Sequence, residues 1–157
     1  MAVLDRTADR VPDDQFPVAC DVSRSDEVAS AVASVVEPFG SLDIVINDAG
    51  IGAAGDITAN DDDEWHRVLD VNIVGLARVS RAALPHQRRS AHAGIVNTRS
   101  VVAVVGVPNS ALYSAIKGDV AAMTLAMAAG HVGEDIRVNA VISLRPDPRQ
   151  PRSHVPS

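Results

Sequence analysis

The 157-residue chain contains one tyrosine, Tyr113, and one lysine, Lys117, and they lie four residues apart. Every other basic residue among its 14 Lys and Arg is arginine, so a lysine kept at this one position suggests a place where a guanidinium would not serve. On a helix, residues at this spacing share a face. An ammonium beside a phenol favours the phenolate, drawing the tyrosine pKa from about 10 toward neutrality. A tyrosine tuned this way can deliver or remove the proton of an alcohol or a carbonyl. Lysine suits the task because its compact ammonium has three rotatable donors that also reach sugar hydroxyls, whereas a planar guanidinium projects differently. Taken alone, the spacing also describes a helix with one half-buried tyrosine and a solvated lysine. The other titratable residues suggest less. Asp61, Asp62, Asp63 and Glu64 read as the acidic first turn of a helix rather than as a metal site. His66, His86, His92, His131 and His154 lack zinc-ligand spacing and read as surface residues, and Arg88 and Arg89 as a solvated helix end. No metal is expected.

The elements that must position this pair follow from hydrophobic periodicity. Residues 1–5 and 16–22 read as short strands. Ser23 and Ser25 offer N-caps to a helix in which Val28, Ala31, Val32, Val35 and Val36 form one face, ending before Gly40. Residues 42–47 (LDIVIN) are nearly continuously apolar, as in a strand buried on both faces. A Gly- and Ala-rich loop, 48–60, leads into a helix over 61–84 that ends before Pro85. A strand at 94–101, a helix at 110–130 and a strand at 136–142 complete the alternation. Such alternation predicts an α/β doubly wound fold, a parallel sheet covered by helices.

With Asn47-Asp48-Ala49-Gly50 after the third strand, Asn72 in the next helix, Ser100 at a strand end and Tyr113-Ser114-Ala115-Ile116-Lys117, the sequence resembles the short-chain dehydrogenase/reductase family from about Met1 to Val141. The resemblance implies a Rossmann-like doubly wound parallel sheet, here incomplete. Family members begin with a strand, a Gly-rich turn and a helix ahead of the segment corresponding to Met1, and none of this chain's ten glycines forms such a turn. That turn cradles the cofactor pyrophosphate on a helix N-terminus. The resemblance further implies that Tyr113 is the acid/base and Lys117 its activator, also bound to the nicotinamide ribose. Ser100 would hydrogen-bond the substrate carbonyl and the developing oxyanion. Asn72 would hold a water linking Lys117 to solvent. Asp5, at the end of the first strand, would face the adenosine ribose and favour NAD over NADP, with Arg6 alongside weakening that preference. Asp21 and Val22 match the adenine contact, and Asn47, Ala49 and Gly50 line the adenosine side. Three positions depart from the family pattern: Asp48 replaces the usual second Asn, Arg99 precedes Ser100 where small residues are common, and Ile116 stands where Ser is usual. Arg99 is placed to crowd or charge the substrate pocket.

The family's first strand lies between those read here as 1–5 and 42–47. Without it two ladders are lost, about eight to ten hydrogen bonds at roughly 0.5–1.5 kcal/mol each. That rivals the 5–15 kcal/mol stability of a typical domain. The chain is therefore expected to fold poorly or to close its sheet another way. Residues 1–143 read as a partial Rossmann-like NAD(P)-binding domain, and 144–157, with four of the nine prolines, as a disordered Pro/Arg-rich tail. The leading expectation is an NAD(P)-dependent oxidoreductase acting on a small alcohol or carbonyl compound, forming a homo-oligomer through helices 61–84 and 110–130. The alternative is a catalytically dead fragment or pseudoenzyme serving as a binding module.

Composition bounds the rest. A net charge of −6 excludes a basic nucleic-acid surface, and 46% hydrophobic with 22% charged residues suits one folded domain. No apolar run approaches the roughly 18 residues that cross a bilayer. The opening MAVLDRTADR lacks a signal-peptide pattern, and the single Cys20 cannot form an internal disulfide. A cytoplasmic location is expected.

Overall fold

Val28, Ala31, Val32 and Val35 recur at helical spacing, and all four are buried where helix α1 (Ser25–Phe39) meets its neighbours. The computed structural model describes residues 1–6 and 15–143, so the expected tail lies outside the described residues. Strands β1 (Ala2–Asp5) and β2 (Phe16–Ala19) pair in parallel, with Ala2 opposite Phe16. Strands β3 (Ile44–Asn47), β4 (Gly94–Ser100) and β5 (Arg137–Ser143) form a second parallel sheet in the order β3-β4-β5. Helix α2 (Asp62–Leu69) runs through a π-helical turn, Asp70–Val74, into α3 (Gly75–Gln87), and α4 (Ala111–His131) crosses from β4 to β5.

The described strands thus form two parallel sheets rather than one, with the break between β1 and β3. Helix α3 lies under both. Its Val79 packs against the cluster of Val45, Ala83, Ile95 and Val138 beneath β3–β5, and also against Cys20, Val28 and Ala31 beside β1–β2. A third cluster, Ala53, Val68, Leu112 and Ile116, fastens α2 to α4. Ile95 and Ile116 are fully buried, each worth about 1.5–3 kcal/mol of transfer free energy.

Four local expectations need correction. The strand at 42–47 is covered on one face only: Val45 is buried, but Ile44 and Ile46 are 48% and 60% exposed because the described helices lie on the opposite face. Strand β2 stops at Ala19, since the Asp21 carboxylate accepts from both the backbone N–H and the hydroxyl of Ser23 and turns the chain. That leaves neither serine as the cap of α1; Arg24 occupies the position without a side-chain hydrogen bond. Helix α3 continues through Pro85 instead of ending before it. Proline forfeits one helical hydrogen bond, yet extending the helix delivers the fully buried Gln87, whose amide donates to the Asp43 and Gly94 carbonyls at 3.1 and 2.9 Å. Two other features follow the sequence. Asp61 caps α2 by accepting from the Glu64 N–H at 2.9 Å, and Gly40 ends α1 in the left-handed region at φ 73°. Among the described residues no helix is long and apolar enough to cross a membrane.

An isolated two-stranded ladder is marginal in water, whereas β4 is hydrogen-bonded on both sides. Native-state hydrogen exchange read by mass spectrometry is expected to show β1–β2 amides exchanging at least about tenfold faster than those of β4. Equal protection in the two sheets would show that they are joined in solution.

Candidate active site

Tyr113 and Lys117 lie on the first turns of α4, and the Lys117 Nζ sits 5.6 Å from the centroid of the Tyr113 ring. That distance is within cation–π range, so ring and ammonium are held together as the spacing predicts. Lys117 is buried to 9% exposure and donates to the Thr98 carbonyl at 3.0 Å, two residues before Ser100. Burial pushes the Lys117 pKa below its ordinary 10.5, and the nearby Asp48 carboxylate pulls it back up. The acid at position 48 therefore helps keep the buried ammonium charged. Ile116, the other departure within this region, is fully buried against Val68 and Leu112, so its apolar side chain fills core volume. Ser100 ends β4, and its Oγ accepts from the Val102 N–H at 3.4 Å, capping the 3₁₀ turn Val101–Ala103.

Asn72 sits in the middle of the π-helical turn and is 4% exposed. Its side-chain nitrogen donates to the Val68 carbonyl at 2.8 Å and to the Ile51 carbonyl at 3.0 Å, while its Oδ1 accepts from the Ile51 N–H at 3.2 Å. The side chain thus competes for the carbonyl one turn back, which an α-helical N–H would use, and the helix widens there into i→i−5 bonding. This double clasp fixes the loop after β3. Gly50, next in the chain, has no room for a side chain, because a Cβ would collide with Asn72 Oδ1.

The residues expected to meet the cofactor divide between the two sheets. Asp5 ends β1, and its carbonyl accepts from the Cys20 N–H, placing Asp5 beside the turn that carries Asp21 and Val22. The Asp21 carboxylate, held below the usual range chiefly by the Ser23 hydroxyl, also pairs with Arg6 at 3.4 Å. Asn47, Ala49 and Gly50 belong to the three-stranded sheet and its loop. Asn47 is committed inward: its amide nitrogen donates to Asn97 Oδ1 at 2.9 Å and Ser80 Oγ at 3.3 Å, and Asn97 in turn donates to Thr124 Oγ1 at 2.9 Å. Arg99 departs from expectation. Strand alternation puts it on the helix-covered face with Ile95 and Asn97, its Nε is buried without a partner among the described residues, and it does not line the groove beside Ser100.

Sequence reasoning missed Arg78. Only 16% exposed, it pairs with the Asp70 carboxylate at 2.8 Å and donates to the Val22 carbonyl at 3.3 Å, tying the π-helical turn to the segment beyond β2. Beside it Gly75 lets α3 approach closely, since a Cβ there would come within 2.9 Å of Val22. No local signal distinguishes Arg78 from the other arginines, and its role exists only once the elements meet.

Residues 1–145 match the family described as enoyl-(acyl carrier protein) reductase. The chain is 34% identical over 140 residues to the inactive 2-(S)-hydroxypropyl-CoM dehydrogenase 2 of Xanthobacter autotrophicus, covering 89% of this chain and 61% of that protein. It is 32% identical over 138 residues to the 3-oxoacyl-(acyl-carrier-protein) reductase of Thermotoga maritima, covering 88% of this chain and 56% of that protein. Among solved structures, the 3-ketoacyl-(acyl-carrier-protein) reductase of Brucella melitensis complexed with NADH superposes with a TM-score of 0.85 at 32% identity, over 90% of this chain and 63% of that one. The chain spans about half the length of the curated relatives it matches.

Two outcomes follow from this geometry. Gly50→Ala forces a collision with Asn72 and is expected to destabilise the protein by about 1–3 kcal/mol, measured by urea unfolding; an unchanged midpoint would show that the clasp is loose. Lys117 has a folded pKa below its unfolded value, so the cost of its burial is fully present below the folded pKa and fades as pH rises toward 10.5. Lys117→Met is therefore expected to raise the thermal midpoint by a few degrees at neutral pH, with the gain narrowing as pH climbs toward the ordinary lysine value. A gain independent of pH would remove desolvation of the ammonium as its cause.

Proposed function

The chain belongs to the short-chain dehydrogenase/reductase family, and we propose that it carries the catalytic half of an NAD(P)-dependent oxidoreductase that interconverts an alcohol and its carbonyl compound. The observation that carries this reading is the buried Lys117 ammonium, fixed on the Thr98 carbonyl and held 5.6 Å from the ring of the only tyrosine.

In the carbonyl-reducing direction Tyr113 Oη gives its proton to the forming alkoxide, and in the oxidising direction it takes that proton back. The neighbouring ammonium stabilises the phenolate left behind, which keeps the tyrosine effective near neutral pH. Ser100 Oγ holds the carbonyl oxygen as negative charge develops on it. When bound, the nicotinamide supplies or accepts the hydride. Lys117 spends one of its three ammonium hydrogens on Thr98, and the other two suit a ribose diol. Asn72 acts in the proton relay through its backbone, because both hydrogens of its side-chain amide are committed to Val68 and Ile51. The widened turn is where a carbonyl comes free to hold the relay water.

The donor set on the adenosine side fits a dinucleotide. Asp5 offers a carboxylate at a strand end for the ribose 2′-hydroxyl, favouring NAD over NADP, while Arg6 is turned toward Asp21. A second copy of the chain is the partner that α4 suits best, since Leu125 is 73% exposed on the helix surface among the exposed Ala122, Ala126 and Ala129. The acidic balance suits a cytoplasmic enzyme.

Tyr113→Phe removes the transferable proton and keeps the ring. It is expected to lower NADH-dependent reduction of a ketone by about 10²–10⁴-fold while leaving the NADH dissociation constant within about twofold. Turnover at the parental rate in that variant would sink the mechanism.

A further inference from the structure

Beside the proposed catalytic pair the protein presents a groove of about 530 Å³, within the usual size range of ligand sites. Its walls are apolar side chains left open: Ile57, Val104, Val105 and Val107 are 70%, 69%, 50% and 43% exposed. Such clustering on one surface marks a site that expects an apolar partner. The groove is lined by near neighbours of the proposed catalytic residues. Val102, whose N–H donates to Ser100 Oγ, forms one side, and Ser110 and Ser114, flanking Tyr113 along α4, form another.

The mouth of the groove is preformed. The loop carrying Asp56 and Ile57 is joined to the start of α4 by a parallel bridge between Gly55 and Ser110. Gly55 N–H donates to the Asn109 carbonyl at 2.9 Å, and Ala111 N–H donates to the Gly55 carbonyl at 3.2 Å. The two walls are therefore held at a fixed separation. Charge completes the argument. Among the described residues no lysine or arginine lines the groove, and the one ionisable residue there is Asp56. That carboxylate accepts from the N–H and hydroxyl of Thr58 at 2.9 and 2.8 Å, which holds it ionised. An anionic substrate end would meet a fixed negative charge and find no cation among the described lining residues.

We propose that this groove takes the uncharged aliphatic end of the substrate, so that the protein acts on alkyl ketones or secondary alcohols and discriminates against those bearing an anionic group. The proposal rests on the oxidoreductase reading for the position of the reacting carbon, and on the groove alone for its selectivity.

Methyl ketones from butanone to octanone, with levulinate as the anionic ketone, are titrated against the protein while the valine methyl resonances are followed by NMR. Shifts are expected at Val102, Val104, Val105 and Val107, with affinity rising roughly two- to fourfold per added methylene, and with levulinate at least about tenfold weaker than a neutral ketone of equal length. Val104→Asp, at an exposed position that leaves the fold intact, is expected to flatten the chain-length series. Affinity independent of length, levulinate binding as well as its neutral counterpart, or shifts confined to other residues would each overturn the proposal. Loss of turnover in Tyr113→Phe tests the oxidoreductase reading separately, because it leaves this binding series unchanged. A groove that keeps its selectivity in a protein without NADH-dependent turnover would uphold the groove's preference for an uncharged aliphatic group and remove the oxidoreductase reading.

Discussion

Helix α3 holds the two sheets to one another, and the arrangement of the site depends on that packing. No ladder joins β1 to β3 among the described residues, so the relative placement of Asp5 and Asn47 rests on side chains beneath them. Val79 serves both apolar clusters, Ser80 accepts from Asn47, and Arg78 reaches the Val22 carbonyl. Three consecutive residues thus connect the helix to both sides of the break. Burial supplies most of the free energy, since the ion pair is partly solvated and each hydrogen bond adds only about 0.5–1.5 kcal/mol net. The polar contacts fix the register at which the helix sits.

The same economy governs the polar groups of the site. Lys117, Asn72, Asn97 and Thr124 are all buried, and each has a named partner. A buried lysine costs free energy, and its single bond to Thr98 satisfies only one of three donors. That residual need fits the role proposed for it, since the remaining donors can meet a ligand and a charge only partly offset by Asp48 can stabilise a phenolate. Asp48 tempers the cost by drawing the lysine pKa upward, and Ile116 fills core volume against Val68 and Leu112. Two departures from the family pattern therefore have physical roles here. Arg99 has none that the contacts reveal, and its buried Nε has no partner among the described residues.

Elements whose formation is local were legible in the sequence. The apolar face of α1, the acidic start of α2 and the Gly40 terminus lie within a few residues of the positions they determine. Expectations failed where a distant partner decided the outcome. Pro85 is an ordinary stop signal, overridden because Gln87 is needed between the starts of β3 and β4. Ser23 is a good cap by type, but the Asp21 carboxylate reached it first. The run Leu42–Asn47 reads as doubly buried because residue type reports what a strand can tolerate, while the covering layer must come from elsewhere. In the site, the sharing of one helix face by Tyr113 and Lys117 and the placement of Asn72 in the preceding helical segment were readable. Their anchors were not, since the carbonyls of Thr98, Ile51 and Val68 are backbone groups that every residue carries.

The division of the site between two sheets gives ligand binding a structural consequence. The groups proposed for the reacting end belong to β4, α4 and the π-helical turn, whereas Asp5, Asp21 and Val22, proposed for the adenosine end, belong to β1, β2 and the turn beyond them. Any ligand that touches Asp5 and Asn47 together must span the break that no ladder crosses. Its contacts then add to those of α3 in holding the sheets at one separation. By linkage, a ligand bound at a hundred times its dissociation constant stabilises the form it binds by about 2.7 kcal/mol. That is equivalent to two or three net hydrogen bonds, delivered at the part of the fold where the described backbone supplies none.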